Sequence, residues 1–199
     1  PYFKNTDFEY YYYDQLGSGY SDVPKDTSLW NIDRFVDEVE QVRIALGMDS
    51  GNFILYGQSW GGILAIEYAL KYQKNLKGLI ISNMMASCPK YTKYVNEVLG
   101  PNLPSKTFEE IKQFEANNDF SNPRYMKILM DHYYSKHVLR MPLDEWPAVV
   151  SEDFNNINSD IYVSIQGPSE FGIIGNAKLK NWDRSNLLNS IKTTRVMRK

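Results

Sequence analysis

Cysteine is nearly absent from this 199-residue chain: Cys88 stands alone, so no disulfide can close within it and no cysteine-rich zinc site can be assembled. Histidine is almost as scarce, leaving His132 and His137 as the two residues available for histidine chemistry. No apolar run comes near the roughly 18 residues a membrane-spanning helix needs, and no signal-peptide pattern is read in a sequence that opens at Pro1. Charge of one sign is lacking too. With 22 Lys and Arg against 24 Asp and Glu, the net charge is −2, which favours neither nucleic acid nor an anionic membrane as a partner. A lone cysteine suits a reducing compartment, so a cytoplasmic location is expected. Hydrophobic residues at 43% and charged residues at 23% are the balance of a globular chain with a core to bury.

What is present is a series of short, patterned apolar runs. The stretch FEYYYY, residues 8–13, has no polar alternation and predicts a strand buried on both faces. Gly17, Gly19 and Pro24 mark the loop after it. Ile32, Phe35, Val36, Val39, Val42 and Leu46 recur three and four apart, the apolar face of a helix that Gly47 would stop. Its Asp33, Asp37, Glu38 and Glu40 are expected towards water. A second strand is predicted over residues 52–56, a helix over 63–72 and a third strand over 78–82. Strand and helix in alternation imply right-handed crossovers and a parallel sheet, so the fold class is α/β.

After Ser87 the rhythm stops. From Pro89 to about Leu179 the chain is rich in Tyr, Asn, Lys and Met, and residues 107–115 and 123–139 read as helices. The second of these begins on Pro123, a favoured first-turn residue. The expected organisation is a partial α/β core over 1–88, an inserted helical cap over 89–179 and a return to the core over 180–199. The last seven residues, TTRVMRK, read as too short and basic for a buried strand.

Chemistry concentrates at Gly57-Gln58-Ser59-Trp60-Gly61. A Gly-x-Ser-x-Gly string alone is weak, since chance supplies it in about one chain of fifteen this long. Its setting strengthens it: it follows a predicted buried strand and opens a predicted helix, as a nucleophile elbow must. So tight a turn leaves room only for small side chains two positions either side of the serine. It exposes the hydroxyl at the carboxyl end of the strands, beside a helix N-terminus whose free N–H groups favour a developing oxyanion. Ser59 is the candidate nucleophile and the Trp60 backbone N–H a candidate oxyanion donor. The bland alternative is a glycine-rich turn with an idle serine. A second string, Asp14-Gln15-Leu16-Gly17-Ser18-Gly19-Tyr20-Ser21, lacks Gly-x-Gly-x-x-Gly spacing and no helix follows at once. A structural turn at the rim of the site is a better reading of it than a phosphate loop.

In order along the chain, Asp14-Gln15-x-Gly17-x-Gly19-x-Ser21, Gly57-Gln58-Ser59-Trp60-Gly61-Gly62, Asn122-Pro123, His132, His137, Leu139-Arg140 and Gly167-Pro168-Ser169-Glu170-Phe171 resemble the proline iminopeptidase (prolyl aminopeptidase) family, tricorn-interacting-factor type. The resemblance extends from residue 8 to about residue 191. It implies an α/β-hydrolase fold with a helical cap, and release of an N-terminal residue, preferentially proline, from short peptides through a serine ester. It implies no metal or organic cofactor. It also implies a cap glutamate that binds the free amine of the substrate, and Glu170 matches that position; without the resemblance, Glu170 reads as a solvated charge on a cap loop.

A serine needs a base, and the base an orienting acid. In this fold both follow the serine in sequence, whereas His132 and His137 fall within the presumed cap, where packing or surface roles are expected. The strand bearing the acid would be expected just after Ile191. The family's His-Gly-Gly-Pro-Gly loop, source of the second oxyanion donor, has no match ahead of Tyr10. The chain is therefore expected to be part of a longer enzyme, inactive by itself, with a thin sheet whose open edges make it marginally stable. Two other functions stay open at this point: an esterase or other small-molecule hydrolase with the same elbow, and a non-catalytic fragment or binding module. Relatives with an aspartate nucleophile, such as epoxide hydrolases, are disfavoured by serine at position 59.

Overall fold

The structure is a computed structural model and describes residues 7–198. At its centre lie three parallel strands, β1 (Ile54–Gln58), β2 (Gly78–Ser82) and β3 (Thr194–Arg198), in the order β1-β2-β3. Ile54 pairs with Gly78 and Gln58 with Ser82; on the other side Gly78 pairs with Thr194 and Ser82 with Arg198. Parallel neighbours cannot be joined by a tight turn, and α2 (Trp60–Tyr72) makes the crossover from β1 to β2. The inner strand β2 buries Leu79 and Ile81, which is why it reads as a continuous apolar run.

The first helix, α1 (Ile32–Ala45), is started by the Asn31 side chain, which accepts from the Arg34 N–H at 2.9 Å. It stops at Gly47, whose φ of +65° favours glycine. Phe35, Val36 and Val39 of α1 pack with Ile63, Leu64, Ile66, Tyr68 and Ala69 of α2 and with Leu79 and Ile81 of the sheet. Full burial of each of the larger side chains contributes about 1.5–3 kcal/mol.

Tertiary context corrects three expectations. Of the four carboxylates assigned to water, only Asp33 is exposed. Asp37 accepts from Tyr72 at 2.9 Å, Glu38 from the Leu16 N–H at 3.0 Å, and Glu40 from Arg43 at 2.7 and 2.8 Å and from Tyr68 at 2.5 Å. An apolar periodicity does not reveal which polar residues have partners on a neighbouring helix. Residues 8–13 form no strand, and Phe8 at 61% and Tyr12 at 77% exposure are not in a core. A strand needs a ladder, and among the described residues β1 is paired with β2 alone; tyrosine, apolar with a polar tip, also makes a poor guide to burial. Lastly, Thr194–Arg198 does form a strand. Backbone pairing with β2 suffices for five residues.

The segment expected as a helical cap has an apolar cluster of its own. It contains α3 (Cys88–Tyr94), α4 (Ser105–Ala116), α5 (Pro123–Leu129), α6 (Ala148–Asn156) and α7 (Ser159–Ile165). Tyr125, Leu129, Tyr133, Trp146 and Phe171 are buried together there. Pro123 opens α5 with Asn122 as its cap, but the helix widens after Leu129: over Met130–Val138 it makes π-type turns, ending in Leu139 N–H donating to the Tyr134 carbonyl at 3.2 Å. Ile165, Ile173, Ala177 and Leu179, from the same segment, pack into the sheet cluster instead.

The seam between α1 and α2 gives a test. Hydrogen bonds from Arg43, above all, bring the Glu40 pKa from 4.5 down to about 2. A depressed carboxyl stabilises the fold above its unfolded pKa and stops doing so as pH falls through its folded pKa. Stability measured by urea unfolding should therefore fall between about pH 4.5 and pH 2, and Glu40→Gln should be less stable at neutral pH and lose less over that window. A variant with the wild-type pH profile would contradict this role.

Candidate active site

Strand β1 gives way to α2 at Ser59, whose φ of 53° and ψ of −125° lie outside the regions that residues with a side chain ordinarily occupy. Such a conformation costs about 1–3 kcal/mol and persists only where the surroundings impose it. Here they do. The Ser59 N–H donates to the Ser82 carbonyl of β2 at 3.1 Å, and the Ser59 carbonyl accepts from the Gly62 N–H at 2.7 Å. A Cβ on Gly57 would lie 2.1 Å from the Gly61 carbonyl oxygen and 2.9 Å from the Ala65 Cβ, so nothing larger than glycine fits. At Gly61, by contrast, an added Cβ meets nothing within 4 Å. Crowding expected on both sides of the serine exists only on the strand side. Ser59 is half-buried at the carboxyl ends of β1 and β2, at the N-terminus of a 13-residue helix, and the Trp60 N–H lies in that helix's first turn, where N–H groups lack intrahelical acceptors.

The Asp14–Ser21 string folds as a closed turn beside this elbow. Asp14 accepts at its carboxylate from the Tyr20 N–H at 2.9 Å and at its carbonyl from the Ser21 hydroxyl at 2.6 Å. The N–H groups of Gly17, Ser18, Tyr20 and Ser21 are thus bonded within residues 14–22 rather than directed towards a phosphate. Gln15 Oε1 accepts from the Trp60 indole N–H at 2.9 Å, and the Trp60 ring meets Phe35 edge-on at 5.8 Å.

Glu170 is held at three atoms. Its Oε1 accepts from the Tyr162 hydroxyl at 2.7 Å and from Gln166 Nε2 at 2.6 Å. Its N–H donates to the Tyr134 hydroxyl at 2.9 Å, and its carbonyl accepts from the Tyr91 hydroxyl at 2.6 Å. Burial pushes the carboxyl pKa upward, and the bonds from Tyr162 and Gln166 oppose that. The motif around it has structural reasons as well: Gly167 has a φ of +103°, the buried Ser169 hydroxyl lies 3.1 Å from that of Tyr125, and Phe171 is a core residue of the cap cluster. Sequence reasoning singled out Ser59, Trp60 and Glu170 as candidates but not the Tyr91, Tyr134, Tyr162 and Gln166 that bond Glu170. Tyrosines 36 and 79 positions from their partner leave no local pattern to read.

Residues 1–196 match the α/β hydrolase fold family. The chain belongs to that family. It is 54% identical to the proline iminopeptidase of Flavobacterium johnsoniae and 52% identical to that of Elizabethkingia meningoseptica, in each case over 98% of the chain and 65% of the relative. It thus spans just under two thirds of the length of these relatives. Among solved structures, it superposes on the crystal structure of the proline iminopeptidase of Mycobacterium smegmatis with a TM-score of 0.76 at 27% identity, over 92% of this chain and 60% of that one. The crystal structure of VinJ gives a TM-score of 0.81 at 29% identity, over 92% and 61% of the two chains.

In this α/β-hydrolase chain neither histidine is placed beside the serine by a hydrogen bond among the described residues. His137 lies on the widened helix with its ring 5.0 Å from that of Tyr133, and burial lowers its pKa. Among the described residues no group of three or more His, Cys, Asp or Glu is arranged to hold a metal, and no helix is long and apolar enough to cross a membrane.

The elbow geometry separates two glycines that look alike in sequence. Gly57→Ala should destabilise the chain by about 2 kcal/mol or more through overpacking. Gly61→Ala, in the helix and in open space, should be neutral or stabilising by up to about 1 kcal/mol. Equal denaturation midpoints for the two variants would refute the crowding on the strand side.

Proposed function

We propose that this chain carries the nucleophile and the amine-recognition part of a serine aminopeptidase that releases proline, or another small N-terminal residue, from short peptides. One observation carries the proposal: a single fold holds Ser59 in a strained strand-to-helix turn and also presents Glu170 with one carboxylate oxygen bonded by neutral donors. The names of the relatives at 54% and 52% identity agree with it. The residues of 89–179 act in it as the cap over the sheet.

In the reaction, Ser59 Oγ attacks the carbonyl carbon of the first residue, and the developing oxyanion is met by the Trp60 N–H at the positive end of α2. The amine leaves with the rest of the peptide, and water then releases the amino acid from the serine ester. Removing one residue requires that the free α-ammonium be recognised. Glu170 Oε2 is suited to that, because Oε1 is already occupied and because Tyr162 and Gln166 orient the carboxylate without neutralising it. A charged hydrogen bond of this kind contributes about 1.5–3 kcal/mol. The base that takes the Ser59 proton and the acid that orients it would be supplied from outside the described residues, so the 199-residue chain by itself should show no peptidase turnover.

These statements can be tested on the chain completed with the flanking segments of the Flavobacterium johnsoniae relative. A fluorophosphonate should label the completed chain but not its Ser59→Ala variant; labelling of both would end the proposal. Glu170→Gln should raise KM for a proline arylamide by about tenfold or more while leaving hydrolysis of a short acyl ester unchanged. If the ester is the better substrate and Glu170→Gln affects neither, the protein is an esterase. Wild-type KM for the arylamide should also rise on the acid side, beginning above the ordinary glutamate range, because burial raises the Glu170 pKa and protonation removes its charge. A KM flat down to pH 4 would contradict ammonium binding by this residue.

A further inference from the structure

Ser59 and Glu170 belong to different parts of the molecule: Trp60 packs on the sheet cluster, whereas Phe171 is buried in the cap cluster. An enzyme that removes one residue must hold its nucleophile and its ammonium acceptor at a fixed separation, because each further residue lengthens an extended peptide by about 3.3–3.6 Å. The Asp14–Ser21 turn lies between the elbow and α7, a helix that packs Ile161 and Ile165 into the sheet cluster and carries Tyr162 to Glu170. On the elbow side, Gln15 accepts from the Trp60 indole at 2.9 Å, and the Leu16 N–H donates to Glu38 of α1 at 3.0 Å. On the α7 side, Asn158 Nδ2 donates to the Gly17 carbonyl at 2.8 Å. Contact there is close enough that a Cβ on Gly17 would lie 2.1 Å from the Ile161 Cδ1.

Asn158 has a second task. Its Oδ1 accepts from the Ile161 N–H at 3.3 Å and so caps α7, the helix that carries Tyr162 to Glu170. A seven-residue helix is not stable by itself and takes its position from its tertiary contacts. Hydrogen bonds therefore run from Trp60 to Gln15, from the turn to Asn158, and along α7 through Tyr162 to Glu170. We infer that Asn158 is a positioning residue which, through its bond to the Gly17 carbonyl, sets the separation between Ser59 and Glu170 and with it the one-residue register of cleavage. This rests on the aminopeptidase reading above.

Asn158→Asp isolates the bond. Asp and Asn cap helices about equally well, so α7 keeps its start, but the amide donor becomes a carboxylate oxygen that repels the Gly17 carbonyl. In the completed chain, Asn158→Asp should raise KM for a proline arylamide about tenfold, the scale of one lost hydrogen bond. Hydrolysis of a short acyl ester, which has no amine to place, should change less than about twofold. An Ala-Pro arylamide should begin to be cut at the arylamide bond without prior loss of its alanine, a product a merely weakened fold would not give. An unchanged KM in Asn158→Asp beside a raised KM in Glu170→Gln overturns the positioning role and leaves the aminopeptidase reading standing. An unchanged KM in both overturns that reading and this inference with it. Equal losses on amide and ester would mark a general fold defect and also overturn the positioning role.

Discussion

The chain reverses direction at Ser59 in less space than any side chain on Gly57 would allow, and the rest of the structure depends on that reversal. Because the Gly61 carbonyl comes to within contact of Gly57, β1 can lead into α2 without an intervening loop, and the serine between them is forced to a positive φ. The strain is offset on both sides. Ser59 is tied to Ser82 of the neighbouring strand, and α2 buries Ile63, Ile66, Tyr68 and Ala69 against the sheet and α1. Gly62 assists, since a Cβ there would be 2.7 Å from the Met84 Cβ in the segment that follows β2. A hydroxyl at the mouth of the strands, in front of the α2 N-terminus, is the outcome of packing rather than of any interaction made by the hydroxyl itself.

The helical segment around Glu170 solves a different problem. A carboxylate withdrawn from water is costly unless hydrogen bonded, and a lysine or arginine partner would have satisfied Glu170 at the expense of its charge. Tyrosine and glutamine donors instead satisfy one oxygen and leave the net charge uncompensated. Burial raises the pKa while these donors restrain the rise. The four tyrosines Tyr91, Tyr133, Tyr134 and Tyr162 come from three separate helical segments, and Tyr91 and Tyr133 are themselves joined at 3.1 Å. Tyr91, Tyr134 and Tyr162 thereby converge on the backbone and side chain of Glu170.

Most of the sheet and the elbow were legible in the sequence because their determinants are local. Apolar spacing in α1, the apolar run in β2 and the glycines around Ser59 each encode a constraint within a few residues. Glu170 was found only through a family motif; its spacing to any other residue carries no chemistry. What escaped was non-local. Asp37, Glu38 and Glu40 read as solvated until α2 and the Leu16 backbone brought them donors. Residues 8–13 read as a strand from composition, whereas a strand is a relation to a neighbour, and Thr194–Arg198 failed to read as one for the same reason. Gln15 read only as part of a rim turn and a family string, with no sign of its bond to Trp60, and Asn158 carried no signal.

A crystal structure of the 199-residue chain is the most direct test of the elbow. It should show Ser59 with a φ near +53°, its N–H on the Ser82 carbonyl and its hydroxyl open to solvent. A Ser59 with helical or extended torsion angles, or a side chain packed into the interior, would contradict the nucleophile assignment and everything derived from it.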